Sequence, residues 1–560
     1  MAVKILKQSF VELNARGRAE TILDDGTFRE LLSPFDGIES PHLEKQGIVP
    51  QCDDGVIVGR GTIAGEPAVV VSIEGNFQGG GIGEVSGAKI AAAFELALRD
   101  NKQGIRVRPV LLFDTGGVRL QEANYGLLSI SEIGSAIVAL RQYVPVVGVI
   151  PGKIGSFGGM SITAGLCHTL IMTREARIGL NGPEVIEQEA GIEEIDSADR
   201  QLIWGMIGGE QRVESGLADH LVEDDISTIK EHVHLAFSKE EKEMPRSAKI
   251  ELFERFLNSF DPQQSVGPAD VRKRWNEKSF ESRAVKEKGN LTTSRGHIWF
   301  KALTDATDTS SQAEVPSVLC KDHELNGKMV RFISVVPNEN GRFPRARKGE
   351  VGIEEGWTIA RYIHEAIEED TGGEPRAIVA VIDVPSQAYG YKEELLGLHQ
   401  SCAAAVNAYA TARNLGHPVV SFIVGNAISG AFLSHGMQAN RLVTLNDEGV
   451  NVHVMSKQSA ARITRRSISE LEEATKKVPS MAYDIRSFST LGALHDLIDG
   501  VNADHPGEED IALVKDRLEQ AIIDARLGPN DLSNRLTSSE AISGGRKASI
   551  EVREKMKEQW

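Results

Sequence analysis

Along most of the chain, runs of β-branched and other apolar residues alternate with segments whose apolar positions recur every three to four residues. In the first half "AVVVSI", "VRPVLLFD", "VPVVGVI" and "HTLIMT" predict strands. Between them "GEVSGAKIAAAFELALRD" and "ISEIGSAIVALRQ" carry helical spacing. In the second half "MVRFISVV", "RAIVAVIDV", "PVVSFIV" and "RLVTL" predict strands, and "KEELLGLHQSCAAAVNAYATARNLG" is a long helix between two of them. Alternation of this kind favours α/β units around a largely parallel sheet.

The two halves repeat one plan. A strand ends at Asp114 in "FDTGGVRLQE" and at Asp383 in "IDVPSQAYG", and a long helix follows each. The next strand opens with the same tripeptide, "PVVGVIPG" from Pro145 and "PVVSFIVG" from Pro418. A glycine-rich lead into a helix closes each set, "SFGGMSITAG" and "AISGAFLSHG". An internal duplication is the simplest reading. Between the halves, "KEEKEMPRSAK", "DPQQSVGPADVRKRW" and "EKSFESRAVKEKGN" are polar and helix-compatible, which predicts a partly helical linker. The tail "SSEAISGGRKASIEVREKMKEQW" is also polar and is expected to be loosely held.

Composition narrows the function class. At 560 residues, 41% of them hydrophobic, the chain exceeds what one core usually holds. The net charge of −18 argues against a surface for nucleic acid or for an anionic membrane. No window approaches the ~18 apolar residues of a membrane helix, and the N-terminus lacks the apolar core of a secretory signal. A soluble, cytoplasmic protein is expected. The four cysteines, Cys52, Cys167, Cys320 and Cys402, form no CxxC pair. Cys167 and Cys402 fall in apolar segments and read as buried fillers. The lone HxH of His232 and His234 reads as surface helix, so no metal is expected.

The 55 glycines cluster in loops, most densely in "PGKIGSFGGMSITAG". A phosphate loop is excluded there, because Gly152-Lys153 is followed by Ile154. "GGGIGEVSG" has GxGxxxG spacing rather than a dinucleotide fingerprint, and neither glycine-rich turn contains GxSxG. Two readings stand. The glycines can simply allow close helix–strand packing. They can also clear the approach to free N–H groups at a helix N-terminus, where negative charge is favoured. A second donor would come from "DTGGVR" or "DVPSQA". Such donors stabilise an oxyanion by ~3–4 kcal/mol each, and the same device in both halves favours that reading.

"ARGRAETILDDGTFREL", "DDGVIVGRGTIAGEPAVVVS", "GGGIGEVSGAKI", "DTGGVRLQE", "GSFGGMS" and "RIGLNGPEVI" resemble the N-terminal half of the acyl-CoA carboxyltransferases. "DVPSQAYGYKEELLGLHQSCAAAVNAYA" and "GNAISGAFLSHG" resemble their C-terminal half. Within that superfamily the chain is most similar to the β and γ subunits of malonate decarboxylase joined in one polypeptide. The γ-like part begins near "TSRGHIWFKALTD". The resemblance implies an α/β fold of two crotonase-like (ββα-superhelix) domains. These would be a β-subunit-like domain over 1–240, a linker over 241–290 and a γ-subunit-like domain over 291–560. No zinc ribbon and no "AMKM"-type biotin site occurs, so any biotin would sit on another protein.

The reaction implied is loss of CO2 from a malonyl thioester on an acyl carrier protein with a CoA-like arm, leaving an acetyl thioester. An acyltransferase partner and a homo-oligomer are implied as well. The alternative is transfer of the carboxyl group to a biotin carrier protein, or the carboxyltransferase step of an acyl-CoA carboxylase. By resemblance, Gly158, Gly159 and Met160 with Gly117 and Val118 would hold the thioester oxygen. Gly430 and Ala431 with Ser386 would form a second hole. Gly116, Arg119, Gly182, Tyr389 and His435 are the expected substrate-binding positions. Tyr389, Gln387 and His435 are the candidates for protonating the carbanion, beside water. Each also has a plain structural role open to it, as packing aromatic, turn residue and helix histidine. Arg119 would neutralise a carboxylate or brace its loop through an ion pair, with bracing favoured.

Overall fold

The computed structural model describes residues 7–238, 244–278, 280, 289–306, 314–463 and 466–560. Its centre is two seven-stranded sheets, one from each half of the chain. In the first, β1 (Arg29–Leu31), β2 (Val56–Ile63) and β3 (Glu66–Ile73) pair antiparallel. β4 (Arg108–Leu112), β5 (Val147–Ile150), β6 (Thr169–Thr173) and β7 (His220–Val222) continue the sheet in parallel. In the second, β8 (Val318–Leu325) pairs antiparallel with β9 (Lys328–Val335). β10 (Ala377–Val384), β11 (Val419–Ile428), β12 (Arg441–Leu445) and β14 (Asp496–Ile498) follow in parallel, with β13 (Asn451–His453) paired to the end of β11.

The central parallel strands β4, β5, β6, β10, β11 and β12 are buried on both faces, which is why they read as unbroken apolar runs such as Ile378 to Ile382, while the short edge strands β7 and β14 are half-buried. The antiparallel partners β2 and β8 escape that pattern. β2 is broken by Gly59 and Gly61, where a side chain would run into Phe28 and Thr27, and β8 carries the polar stretch Lys321 to Glu324.

Helices from the two halves pack directly against each other. The Asn124–Leu140 helix donates from Asn124 Nδ2 to the Val452 carbonyl (3.0 Å) and receives Arg413 Nη2 at Ser135 Oγ (2.6 Å). The Gly159–Leu166 helix lies against the Leu398–Asn414 helix so closely that a Cβ on Gly165 would sit 2.8 Å from that of Ala403.

Two expectations change. The expected junction at 240/241 and most of "EKSFESRAVKEKGN" lie outside the described residues. The described part of that region forms the Ile250–Asn258 and Pro268–Glu277 helices, in line with its helix-compatible pattern, but it also buries an aromatic cluster where few large apolar residues were expected to pack. Phe253 stacks on Trp357 of the second half with ring centroids 5.1 Å apart, and Phe256 packs edge-on to Trp275. A few large rings at helical spacing anchor an otherwise polar segment. The tail is not loose either. Its Lys547–Gln559 helix lies on the Glu84–Lys102 helix of the first half, held by buried charge. Arg546 and Arg553 both bond Glu132, Ser549 N–H donates to Glu84, and Trp560 Nε1 donates to Asp100. Composition reads such a tail as polar; it does not reveal that Arg546, Ser549, Arg553 and Trp560 have partners in the first half. Among the described residues no helix is long and apolar enough to cross a membrane.

Candidate functional site

After β5 the chain crosses the segment at 175–177 and runs into the Gly159–Leu166 helix. The first passage requires Gly155 (φ 111°), where a side chain would collide with the Arg177 carbonyl. The second requires Gly158, whose φ of 56° and ψ of −146° suit glycine alone. A Cβ there would stand 3.2 Å from Gly117 Cα and 3.9 Å from Val118 N, so bare backbone at Gly158 lets the 116–118 loop close on the helix start. The second half makes the matching turn at Ser429, a non-glycine held at φ 59°, before the Ser429–Ser434 helix. The start of the first helix touches the second: a Cβ on Gly159 would come within 2.6 Å of Leu433 Cδ1.

The amides near this junction differ in availability. Gly116 N–H donates to the Gly79 carbonyl (2.9 Å) and Gly158 N–H to that of Leu180 (3.0 Å), while Gly117 N–H donates to Thr115 Oγ1 (3.0 Å). Gly159 and Met160 lie in the first turn of their helix, where N–H groups have no intrahelical acceptor. Val118 N–H likewise has no acceptor among the described residues. Across the junction, Gly430 N–H donates to Gln387 Oε1 (3.1 Å). Gln387 Nε2 donates to Asn181 Oδ1 (2.7 Å), and Asn181 donates from Nδ2 to the Ala388 carbonyl (2.8 Å). Glu394 accepts from Leu180 N–H (3.1 Å) and Asn181 N–H (2.7 Å). Arg212 binds the carbonyl oxygens of Glu394 and Leu395. Burial pushes the Glu394 carboxyl up to about 7 against the pull of Arg212. This buried relay ties the 177–186 segment of the first half to the 383–396 segment of the second.

A cavity of ≈ 360 Å³ opens where the helix starts of the two halves meet. Of the sequence-derived positions, Gly116, Val118, Gly158, Gly159, Gly182, Gln387, Tyr389 and Gly430 line it. Gly117, Met160, Ser386, Ala431, Arg119 and His435 do not. Arg119 is buried in an ion pair with Asp54 (2.6 Å) and Glu122 (2.7 Å), behind the 116–118 loop. The His435 ring meets Tyr409 Oη at 2.9 Å and the Val381 carbonyl at 3.3 Å, and burial lowers its pKa to about 4. Ser386 offers its carbonyl to Val351 N–H. Burial raises the Tyr389 phenol above its ordinary range and so keeps it protonated at neutral pH. The thiols of Cys167 and Cys402 are pushed up to about 12 by burial, which leaves them unreactive. Among the described residues no group of three or more His, Cys, Asp or Glu is placed to hold a metal ion.

Sequence reasoning passed over Arg177, Leu180, Asn181 and Ser429 in the cavity wall and Glu394 behind it. The signal was present for all five, since "RIGLNGPEVI" holds Arg177, Leu180 and Asn181, "GNAISGAFLSHG" holds Ser429 and "DVPSQAYGYKEELLGLHQSCAAAVNAYA" holds Glu394.

The family described as "Malonate decarboxylase gamma subunit" matches residues 346–560. "Malonyl-S-ACP:biotin-protein carboxyltransferase MADC" of Malonomonas rubra is 39% identical over 264 residues, which are 45% of this chain and 83% of that protein. MADD of the same organism, with the same description, is 37% identical over 195 residues, 34% of this chain and 66% of that protein. Among solved structures, a chain of a Pseudomonas malonate decarboxylase hetero-tetramer in complex with malonate is 56% identical. It covers 48% of this chain and 98% of that one, with a TM-score of 0.48.

Proposed function

The chain belongs to the family of malonate decarboxylase subunits and malonyl-S-ACP carboxyltransferases, and on that premise we propose that it decarboxylates a malonyl thioester without biotin. The observation that carries the proposal is that Val118 and Gly159, whose amides have no acceptor among the described residues, both line the cavity, with Met160 next in the first turn of the helix, while the opposite amide, Gly430, is already bonded by Gln387. One carbonyl oxygen can be received, at the first helix start.

The chemistry follows from that oxygen. The malonyl C–C bond breaks, CO2 leaves, and the electron pair moves through the methylene carbon onto the thioester oxygen as an enolate. Amides fixed in advance bind that developing charge more strongly than the ground-state carbonyl and so lower the barrier. The enolate carbon then takes a proton. Tyr389, protonated and in the cavity wall, is the side chain suited to supply it. The relatives' descriptions name malonyl-S-ACP as their substrate. On this reading the malonyl group reaches this chain on an acyl carrier protein, and a CoA-like arm on that carrier and an acyltransferase partner that loads it belong to the proposal. On this reading the chain is two crotonase-like copies, with β- and γ-like parts fused, working as a cytoplasmic homo-oligomer with no covalent cofactor of its own.

A second reading is carboxyl transfer to a biotin protein, favoured by the description of the 39%-identical relative. CO2 release from malonyl thioester, with and without avidin, separates the two. Release indifferent to avidin supports decarboxylation; release abolished by avidin, or dependent on a biotinylated partner, supports transfer.

A further inference from the structure

Of the twenty-two residues lining the cavity, two carry charge: Arg177 and Glu184. The Arg177 side chain is laid over the rings of Phe157 (5.7 Å) and Trp204 (4.6 Å). Its Nη2 donates to the Ile154 carbonyl at 2.9 Å. Its Nε is buried with no hydrogen-bond partner, and among the described residues its Nη1 has no acceptor and Glu184 forms no ion pair with it. A guanidinium half withdrawn from water and short of acceptors is costly to keep, and a carboxylate is the ligand that relieves it best, through planar paired hydrogen bonds. Arg177 is also close in sequence to Leu180, whose carbonyl fixes Gly158, and its ring partner Phe157 immediately precedes the helix start. A substrate with its thioester oxygen on the Val118 and Gly159 amides thus has a cation in the same cavity wall.

We infer that Arg177 binds the free carboxylate of the incoming acyl group and selects dicarboxylic monothioesters over neutral acyl thioesters. The inference rests on the malonyl-thioester reading. The proton and electron steps above do not involve Arg177: it is a binding residue, which orients the carboxylate so that the C–C bond to be broken stands beside the enolate-stabilising amides. Acetyl thioester, the product, has no group for Arg177, which favours its release.

The test compares malonyl-CoA with acetyl-CoA as ligands of the full chain, by rapid filtration in the cold with the recovered thioester checked to be intact. Wild type is expected to prefer malonyl-CoA. Arg177→Gln is expected to weaken malonyl-CoA about tenfold or more, the scale of one charged hydrogen bond, with acetyl-CoA changed less than about twofold. Arg177→Lys, which keeps the charge and loses the fork, should recover part of the difference. Equal weakening of both ligands would make Arg177 a packing residue or a contact to the CoA arm and overturn the inference. So would an unchanged preference, or no preference in wild type. Binding is read without turnover, so a chain that bound malonyl-CoA selectively through Arg177 but released no CO2 would refute decarboxylation alone.

Discussion

Replacing Gly158 by alanine tests the geometry with the smallest possible change. Alanine at φ 56° and ψ −146° costs about 1–3 kcal/mol of backbone strain. The added Cβ lies 3.2 Å from Gly117 Cα, tighter than an ordinary van der Waals contact, so the 116–118 loop must retreat by a few tenths of an ångström. That retreat carries Val118 N–H away from the Gly159 and Met160 amides. A chain of this size tolerates the strain, since domains are commonly stable by about 5–15 kcal/mol. Loss of one aligned donor, however, costs about 10²–10³ in turnover. The expected result is a kcat/KM for CO2 release from malonyl-CoA lower by about two orders of magnitude, with the urea unfolding midpoint only modestly reduced. A Gly158→Ala protein within about threefold of wild type would refute the assignment of these amides to the reacting oxygen. Activity falling only in step with unfolding would refute it equally.

Two further outcomes concern stability. Glu355 caps its helix from a buried position, and burial, reinforced by the Glu354 charge, pushes its carboxyl up to about 8. A carboxyl raised in the folded state binds its proton more tightly there than in the unfolded chain. It therefore contributes stability at acidic pH that is lost as pH rises from about 4.5 through about 8, each pKa unit being worth about 1.4 kcal/mol. Glu355→Gln keeps the capping geometry without the charge, and its denaturation free energy, measured between pH 5 and 8, should show a shallower fall than wild type. At the tail, Arg546 and Arg553 hold Glu132 down to about 2 although burial opposes this. Arg546→Ala should cost about 3–5 kcal/mol in urea melts at neutral pH, the scale for breaking a buried pair. In wild type this pair's contribution should fade as pH drops from about 4.5 towards 2. An Arg546→Ala protein as stable as wild type would make the tail the loose segment its composition suggests.

The central parallel strands β4, β5, β6, β10, β11 and β12 were legible because burial on both faces writes itself as continuous apolar runs, whereas the three-residue strands β7, β13 and β14 are too short to leave such a run. The antiparallel strands β2 and β8 were not, since Gly59 and Gly61 interrupt one and the polar stretch around Asp322 runs through the other. At the site, glycine density pointed to Gly158 and Gly159, which line the cavity. What glycine density cannot report is which amides are already bonded. Gly158 N–H and Gly430 N–H are both engaged, by Leu180 and Gln387, because segments distant in the chain fold over them. The relay through Asn181 and Glu394 was invisible for the same reason. An asparagine in a loop and a glutamate in "KEELLG" read as solvated polar residues until two halves of the chain are brought together. Ser429 hid because a serine at φ 59° leaves no trace of its backbone in the sequence.

The most direct test of the enolate account is decarboxylation of malonyl-CoA in D2O with avidin present, counting CO2 released against deuterium in the product thioester. The account predicts one CO2 for each CH2D-thioester formed, because the enolate carbon takes a single exchangeable proton after the carboxyl group has left. No CO2 release with avidin present, with release appearing only when avidin is left out and a biotinylated protein is supplied, would contradict it.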